Sequence, residues 1–210
     1  MKRILPCHST FDLGGKEARA VRLMNAFGDA AEHVILSAVP DALGARDAIA
    51  PGIVVHFPDD APPLNGRPGL RRYRALARYM KSADLVLTYN WGAMDAVAAR
   101  AIFGRFGPPL VHHEDGFNAD EAKTPDWKRD TFRRTFLGAA RDLVVPSNEL
   151  VRIATNRWRR PFATHIPNGI DTARYAALPD VGAIPGFVRG PGEVVIGTVA
   201  GLRAVKNLPR

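Results

Sequence analysis

The sequence predicts an α/β fold built on an open parallel sheet with helices on both faces. Short apolar runs rich in branched residues alternate with longer segments of helical period, which is the pattern of parallel strands joined by crossover helices. A hydrophobic content of 46% provides for a substantial core, and 24% charged residues is usual for a globular protein. The 210 residues are enough for one large domain, or for one domain and part of another.

The predicted strands follow one another at the spacing that crossover helices require. They cover residues 4–7, 33–38, 53–57, 84–88, 109–113 and 142–146, and 165–167 closes the unit. The predicted helices are 16–27, a basic helix after the proline- and glycine-rich loop 58–69, and then 92–103, 126–137 and 148–157. Apolar residues at spacings of three and four mark the first helix, and Ser147 caps the last one.

The chain changes character after Asn168. A run rich in proline and glycine indicates a linker, and the apolar run 194–199 predicts a further strand. We therefore divide the chain into a domain at 1–175, a linker at 176–192 and the start of a truncated second domain at 193–210. Because a lone strand cannot bury both of its faces, we expect the second domain to be incomplete and its exposed strand to favour aggregation.

Cysteine usage and hydropathy indicate a cytoplasmic protein. Cys7 is the single cysteine, so an internal disulfide and a cysteine-rich metal site are both excluded. The start of the chain is too short in apolar residues for a signal peptide, and the sequence contains no apolar run long enough to span a membrane.

The net charge of +8 favours anionic partners, of which anionic lipid and phosphorylated ligands are the candidates. Arginines cluster at 67–78 and 157–160. These clusters are either solvated helix faces or an attachment to an anionic membrane surface, with Tyr73 and Trp158 as interfacial aromatics and a peripheral location on the inner face of the membrane. Nucleic acid is not an expected partner, because no nucleic-acid-binding motif accompanies the charge.

The loop after the first predicted strand places Gly14 and Gly15 where a strand hands over to a helix. Glycine allows close approach of a ligand, and a helix N-terminus offers amides and a positive dipole to a phosphate. The spacing matches neither the dinucleotide fingerprint nor the P-loop, so a plain tight turn is the alternative.

The fifth predicted strand ends in a dense group of polar residues, His112, His113, Glu114 and Asp115. Such density at a strand end is expected mainly where binding or chemistry uses it. Neighbouring histidines on a strand point to opposite faces, so no metal site is predicted here. One histidine belongs to the core, and the other, with the two carboxylates, can hydrogen-bond a sugar hydroxyl or stabilise developing positive charge.

Arg203 and Lys206 lie three residues apart just beyond the run 194–199. Both can face one phosphate group if a helix begins there, and a solvated pair is the alternative. A hydrolase has little support, because no nucleophile-elbow motif is present in the sequence.

In chain order these motifs resemble those of glycosyltransferase family 4, a GT-B family with two Rossmann-like domains and a cleft between them. The segment from Gly14 to Glu17 is similar to the family's GG-x-E loop. The matching segments further along are DLVVPS at 142–147, IPNGID at 166–171 and the lysine- and asparagine-containing opening of the donor domain at 196–207. The resemblance covers nearly the whole chain, as the N-terminal half of such an enzyme and the first strand of its donor domain.

The resemblance implies a retaining glycosyltransferase that moves a hexosyl group from a nucleotide diphosphate sugar to a glycan or lipid-linked acceptor in cell-envelope polysaccharide synthesis. It implies no metal and no cofactor, since the nucleotide sugar is a substrate. By position, Gly14, Gly15, Arg203 and Lys206 would bind the donor, and Lys206 would neutralise the leaving diphosphate. Gly201 stands where the family usually has arginine, which leaves the role of Arg203 open.

The same resemblance implies that His113 or Asp115 is catalytic, because Asp115 stands where the family often has histidine. The substrate-binding candidates are Glu17, Asn90 and Glu114. We expect the 210 residues alone to be inactive, since electrostatic and positioning contributions need the whole cleft. The alternatives are a non-catalytic acceptor- or glycan-binding domain and another GT-B enzyme such as a nucleotide-sugar epimerase.

Overall fold

The computed structural model of the chain describes residues 1–67, 69–117, 126–176, 180 and 182–198. The chain forms two compact units, Met1–Asn168 and Gly169–Arg210. The division falls a few residues before the boundary at 175 that the sequence indicates. The first unit contains every strand that the structure describes.

A single parallel sheet organises the first unit. Its strands are β1 (Lys2–His8), β2 (Ala31–Val34), β3 (Leu36–Ser37), β4 (Val55–His56), β5 (Leu85–Tyr89), β6 (Leu110–His113), β7 (Asp142–Val145) and β8 (Thr164–His165). The strands lie in the order β4-β2-β1-β5-β6-β7-β8, with β3 also pairing with β1, and all of these pairs are parallel. The predicted α/β class with a parallel sheet is confirmed.

Helices cover both faces of this sheet. They are α1 (Gly15–Phe27), α2 (Leu70–Met80), α3 (Met94–Phe103), α4 (Trp127–Phe136) and α5 (Asn148–Asn156), followed in the second unit by the one-turn α6 (Thr172–Tyr175). Side chains alternate along β1, so that Ile4 packs in the core under α1 and Leu5 in the core under α2 to α5. The Ser147 hydroxyl accepts a hydrogen bond from the Leu150 amide at 3.2 Å, which confirms the predicted cap of α5.

The direction of strand addition reverses between β1 and β5. The chain first builds outward through β2 to β4, and then returns to the other side of β1 and adds β5 to β8 there. In open α/β sheets the crevice at the carboxyl ends of the strands on either side of such a reversal is the usual ligand site. The topology therefore directs attention to the residues that follow β1 and β5.

Three sequence predictions are wrong in detail. The strand predicted at 33–38 is divided into β2 and β3, and the one at 53–57 is reduced to the short edge strand β4. Residues 194–198 form no strand and their side chains are exposed, because the described part of the second unit offers no neighbouring strand with which they could pair. Residue 199 lies outside the described residues.

The two aromatics proposed as membrane-interface residues are also placed elsewhere. Trp158 is fully buried and its indole N–H donates to Asp130 at 2.9 Å. Tyr73 is buried as well, and its hydroxyl donates to Asp95 at 3.0 Å. Both side chains carry a polar atom that finds a buried partner, so packing in the interior costs them no hydrogen bond.

The crevice at the reversal is narrow because Gly92 meets Ser9. A Cβ atom on Gly92 would overlap the Cβ of Ser9 and lie 3.0 Å from its Cα. The segment after β5 can therefore reach the end of β1 only because residue 92 has no side chain.

We predict that Gly92→Ala lowers the free energy of unfolding by about 1–3 kcal/mol, because the added methyl group must push two loop backbones apart. Chemical denaturation of the variant and the wild type measures the change. Gly15→Ala is the matched control, since a Cβ there meets no atom within 4 Å, and its stability should stay equal to that of the wild type or rise slightly. Equal stabilities for the two variants would contradict the close approach.

Candidate active site

A cleft of about 450 Å³ opens at the carboxyl ends of β1, β3 and β5. Its lining residues are Ser9, Thr10, Ala38, Val39, Leu64, Asn65, Gly66, Trp91, Gly92, Met94 and Asp95. Asp95 is held in place by the guanidinium of Arg72 at 2.5 Å and by the Tyr73 hydroxyl. The cleft therefore combines a fixed carboxylate with an aromatic wall, which suits a polar ligand that also has apolar faces.

The first turn of α1 lies at the same edge of the sheet. Gly14 is the N-cap in extended conformation, Gly15 begins the helix, and both are exposed. A Cβ on Gly14 would come within 2.8 Å of the Glu17 carboxylate, so glycine at 14 leaves room for that buried side chain. The exposed amides of this turn are available to an anion.

Lys16 fastens the loop between β1 and α1. Its ammonium group forms an ion pair with Glu17 and donates to the Ser9 hydroxyl and the Thr10 carbonyl, both at 3.3 Å. These contacts place the Glu17 carboxylate beneath the loop, where it supports the loop's conformation. That Glu17 binds substrate stays a prediction.

Arg19 joins three separate segments of the chain. Its guanidinium contacts both carboxylate oxygens of Asp115, at 2.5 and 2.9 Å. It also lies 3.2 Å from Nδ1 of His113 and donates to the side-chain oxygen of Asn168 at 3.1 Å. We call these four residues, together with Asn90, the Arg19 cluster.

Asn90 positions the cluster through its backbone and its side chain. It follows β5 directly and has a positive φ of 55°, a conformation that asparagine tolerates better than most residues. Its amide donates to the carbonyl of His113 at 2.8 Å, and its side-chain oxygen accepts from the amide of Asp115 at 2.7 Å. The sharp turn after β5 thus fixes the backbone on both sides of Glu114.

Aromatic rings stack beneath the cluster. The ring of Tyr89 lies between those of His8 and His113, with centroid distances of 4.3 and 4.8 Å, and Phe11 packs edge-on against His8. Burial, with the charges of Arg19 and His112 adding to it, lowers the pKa of His113 to about 3. His113 is therefore a neutral imidazole at physiological pH.

Asp115 is subject to opposing influences. Burial raises the pKa of its carboxyl group and the Glu114 charge acts in the same direction, whereas Arg19 lowers it. The result is a raised pKa at a carboxylate that keeps partial access to solvent. Perturbed groups that share one cluster at the carboxyl edge of a sheet are characteristic of functional sites.

Glu114 and His112 point to the opposite face of the sheet. The Glu114 carboxylate accepts from the Arg133 guanidinium at 3.0 Å, and neither side chain is exposed. Three aromatic rings, those of Trp91, Phe117 and Trp158, surround the guanidinium at 5.1 to 5.6 Å.

The Thr88 hydroxyl lies 2.8 Å from Nδ1 of His112, which is the core histidine that the sequence predicts. Glu114 therefore has a structural role here. That it binds substrate stays a prediction.

The structure thus brings three of the sequence-predicted residues, Asn90, His113 and Asp115, into one cluster. Gly14, Gly15 and Glu17 lie on the helix that carries Arg19. Arg203 and Lys206 lie outside the described residues. Sequence reasoning missed Arg19 as a site residue, although its position one turn after Gly15 places it near the strand ends.

Within the described ranges, no group of three or more His, Cys, Asp or Glu residues is arranged to hold a metal ion. Among the same residues, no helix is both long and apolar enough to cross a membrane.

Residues 13–174 match the family model of Glycosyltransferase Family 4. The resemblance seen in the sequence is therefore confirmed. No curated protein sequence matches the chain significantly.

Solved glycosyltransferase structures share the fold. HepE of Anabaena in complex with UDP-glucose is 17% identical with a TM-score of 0.56, over 85% of this chain and 47% of that one. The corresponding values are 10%, 0.54, 83% and 45% for a glycosyltransferase of Rickettsia africae, and 16%, 0.52, 82% and 49% for sucrose-phosphate synthase of Thermosynechococcus elongatus. The chain thus spans less than half the length of each, and the likeness confirms a Rossmann-like domain of the GT-B type.

We predict that Glu114→Gln destabilises the protein by about 3–5 kcal/mol, because it leaves the Arg133 charge buried without a counter-charge. The free energy of unfolding in urea measures the loss. Glu149→Gln serves as the control: Glu149 pairs with Arg152 on the surface, and its removal should change stability by less than about 0.5 kcal/mol. Similar small losses in both variants would show that the buried pair does not support the strand ends.

We predict that stability falls as the pH is lowered from about 6.5 towards 3. The pKa of His113 is about 3 in the folded protein and 6.5 ordinarily, so over this range the unfolded state binds the extra proton. Its stabilising effect is complete above pH 6.5 and is lost towards pH 3, with a slope of up to about 1.4 kcal/mol per pH unit. His113→Gln should reduce this slope in denaturation curves at a series of pH values, and an unchanged slope would contradict a neutral buried His113.

Proposed function

Because the chain belongs to Glycosyltransferase Family 4, we propose that it forms the acceptor-side part of a retaining glycosyltransferase. The enzyme transfers a hexosyl group from a nucleotide diphosphate sugar to a glycan or lipid-linked acceptor, in cell-envelope polysaccharide synthesis. The observation that carries the proposal is the Arg19 cluster, which lies at the carboxyl edge of the sheet beside the exposed start of α1.

The start of α1 supports a role in donor binding. Gly14 and Gly15 expose a helix N-terminus whose amides and dipole favour a diphosphate. UDP-glucose is bound in the solved Anabaena structure of the same fold. In this proposal Arg203 and Lys206 add positive charge to the leaving diphosphate, a task for which a fixed cation is suited.

His113 and Asp115 are the proposed groups at the donor sugar. Since the Arg19 guanidinium can only donate, Nδ1 of His113 accepts from it, and the proton of the neutral ring lies on Nε2. Nε2 can then donate to a sugar hydroxyl. The Asp115 carboxylate, held by Arg19, can accept from a hydroxyl or stabilise the positive charge that develops on the sugar ring.

The cleft of about 450 Å³ is the proposed acceptor site. Asn90 belongs to the Arg19 cluster and the next residue, Trp91, lines the cleft, so the two sites are neighbours along one loop. The fixed Asp95 carboxylate can accept hydrogen bonds from acceptor hydroxyls. Trp91 offers an apolar surface to a sugar ring or a lipid-linked group.

The proposal is tested with protein expressed from its full reading frame. Release of nucleoside diphosphate from UDP-, GDP- and ADP-sugars is measured with a membrane extract of the source organism as acceptor. We predict release with one donor, and a fall of about 100-fold or more in kcat for Asp115→Asn and His113→Gln, because each removes a preorganised group. Arg152→Gln, on the surface away from the cluster, should keep wild-type kcat.

Two outcomes contradict the proposal. Binding of glycan without release from any donor would identify a non-catalytic acceptor-binding domain. Recovery of the donor with an inverted sugar centre, seen by NMR, would identify an epimerase.

A further inference from the structure

The exposed face of α2 carries a continuous row of positive charge. Arg71, Arg74, Arg78 and Lys81 follow at spacings of three, four and three along the helix and just past its end, and all four are exposed. The opposite face of α2 packs into the core through Tyr73, Leu76, Ala77 and Met80. The helix is therefore amphipathic, with an outer face that is basic over its full length.

Apolar rings adjoin this row at the end of α3. Phe103, the last residue of α3, lines a hollow of about 410 Å³ together with Arg74, Arg78 and Lys81. Phe106 follows in the next turn with 89% of its surface exposed, and the Arg105 guanidinium lies 5.7 Å from the centre of its ring. We call the four basic residues with Phe103 and Phe106 the α2 basic face.

The charge of this face is not neutralised within the described part of the chain. No ion pair or side-chain hydrogen bond there engages Arg71, Arg74, Arg78 or Lys81, and the sequence of α2 contains no aspartate or glutamate. Arg72 on the same helix differs, because it is paired with Asp95 at the cleft. The basic row is therefore free to meet an external anionic surface.

We propose that the α2 basic face docks the protein on a membrane rich in anionic phospholipid. A basic helix lying in the plane of the headgroups, with aromatic side chains entering the boundary below them, is the arrangement by which peripheral proteins bind such membranes. An extended row four residues long fits many headgroups better than one small phosphate. The exposed Phe103 and Phe106 have a use at a lipid surface, whereas a polyanion in water would gain little from them.

This surface differs from the one that the sequence indicates. The aromatics are Phe103 and Phe106 in place of the buried Tyr73 and Trp158. Arg157 of the second arginine cluster is engaged by Asp130 at 2.5 Å. The inference does not depend on donor or catalysis, so its failure would leave the proposed sugar transfer standing.

The test is co-sedimentation of the full chain with vesicles of phosphatidylcholine that contain about 30% phosphatidylglycerol, at about 0.1 M salt. We expect binding that weakens as salt is added. Arg74→Gln/Arg78→Gln/Lys81→Gln should reduce the partition coefficient about 100-fold, because each basic residue near an anionic surface contributes about fivefold. The control Lys128→Gln/Arg134→Gln/Arg141→Gln removes the same charge from exposed positions outside the α2 basic face and should reduce it far less.

A second variant separates a membrane from other polyanions. Phe106→Ser should lower vesicle partition about tenfold, since the inserted ring loses its apolar burial, and should leave retention on heparin unchanged. Circular dichroism and thermal unfolding confirm that each variant is folded. Equal losses in the two triple variants, no binding by the wild type, or displacement by millimolar inorganic pyrophosphate would each overturn the inference.

Discussion

The pairing of β1 with β5 is the constraint on which the site depends. It sets Cys7 beside Thr88, so the residues that follow the two strands, His8 and Tyr89, meet at one edge of the sheet. Because the chain has already built β2 to β4 on the other side of β1, this pairing is also where strand addition reverses. The loop that follows each strand then borders the same crevice, and only glycine at 92 lets these loops come together.

Alternation along β6 explains why neighbouring residues of one motif have different fates. His112 and Glu114 face the helices α2 to α5, where Arg133 and Thr88 satisfy them in the core. His113 and Asp115 face α1, where Arg19 holds them at the edge of the sheet. The period of two in a strand separates a structural set from a functional set without any gap in the sequence.

Much of the fold could be predicted because it depends on local signals. Hydrophobic period identified every helix of the first unit, and the capping side chain of Ser147 identified the start of α5. The parity of His112 and His113 also followed from strand geometry. Arg19 could not be found in this way, since its partners Asp115 and Asn168 lie 96 and 149 residues away in the chain. The burial of Trp158 likewise depends on Asp130, from a different helix, which no local pattern reveals.

The aromatic surroundings of Arg133 have an optical consequence. Two of the three tryptophans, Trp91 and Trp158, contact the same guanidinium, and Trp91 also lines the cleft. A molecule that enters the cleft changes the solvent and the electric field at one indole directly, and at the other through the shared cation. The intrinsic fluorescence of the protein is thus a built-in reporter of cleft occupancy, which requires no label and no knowledge of the acceptor.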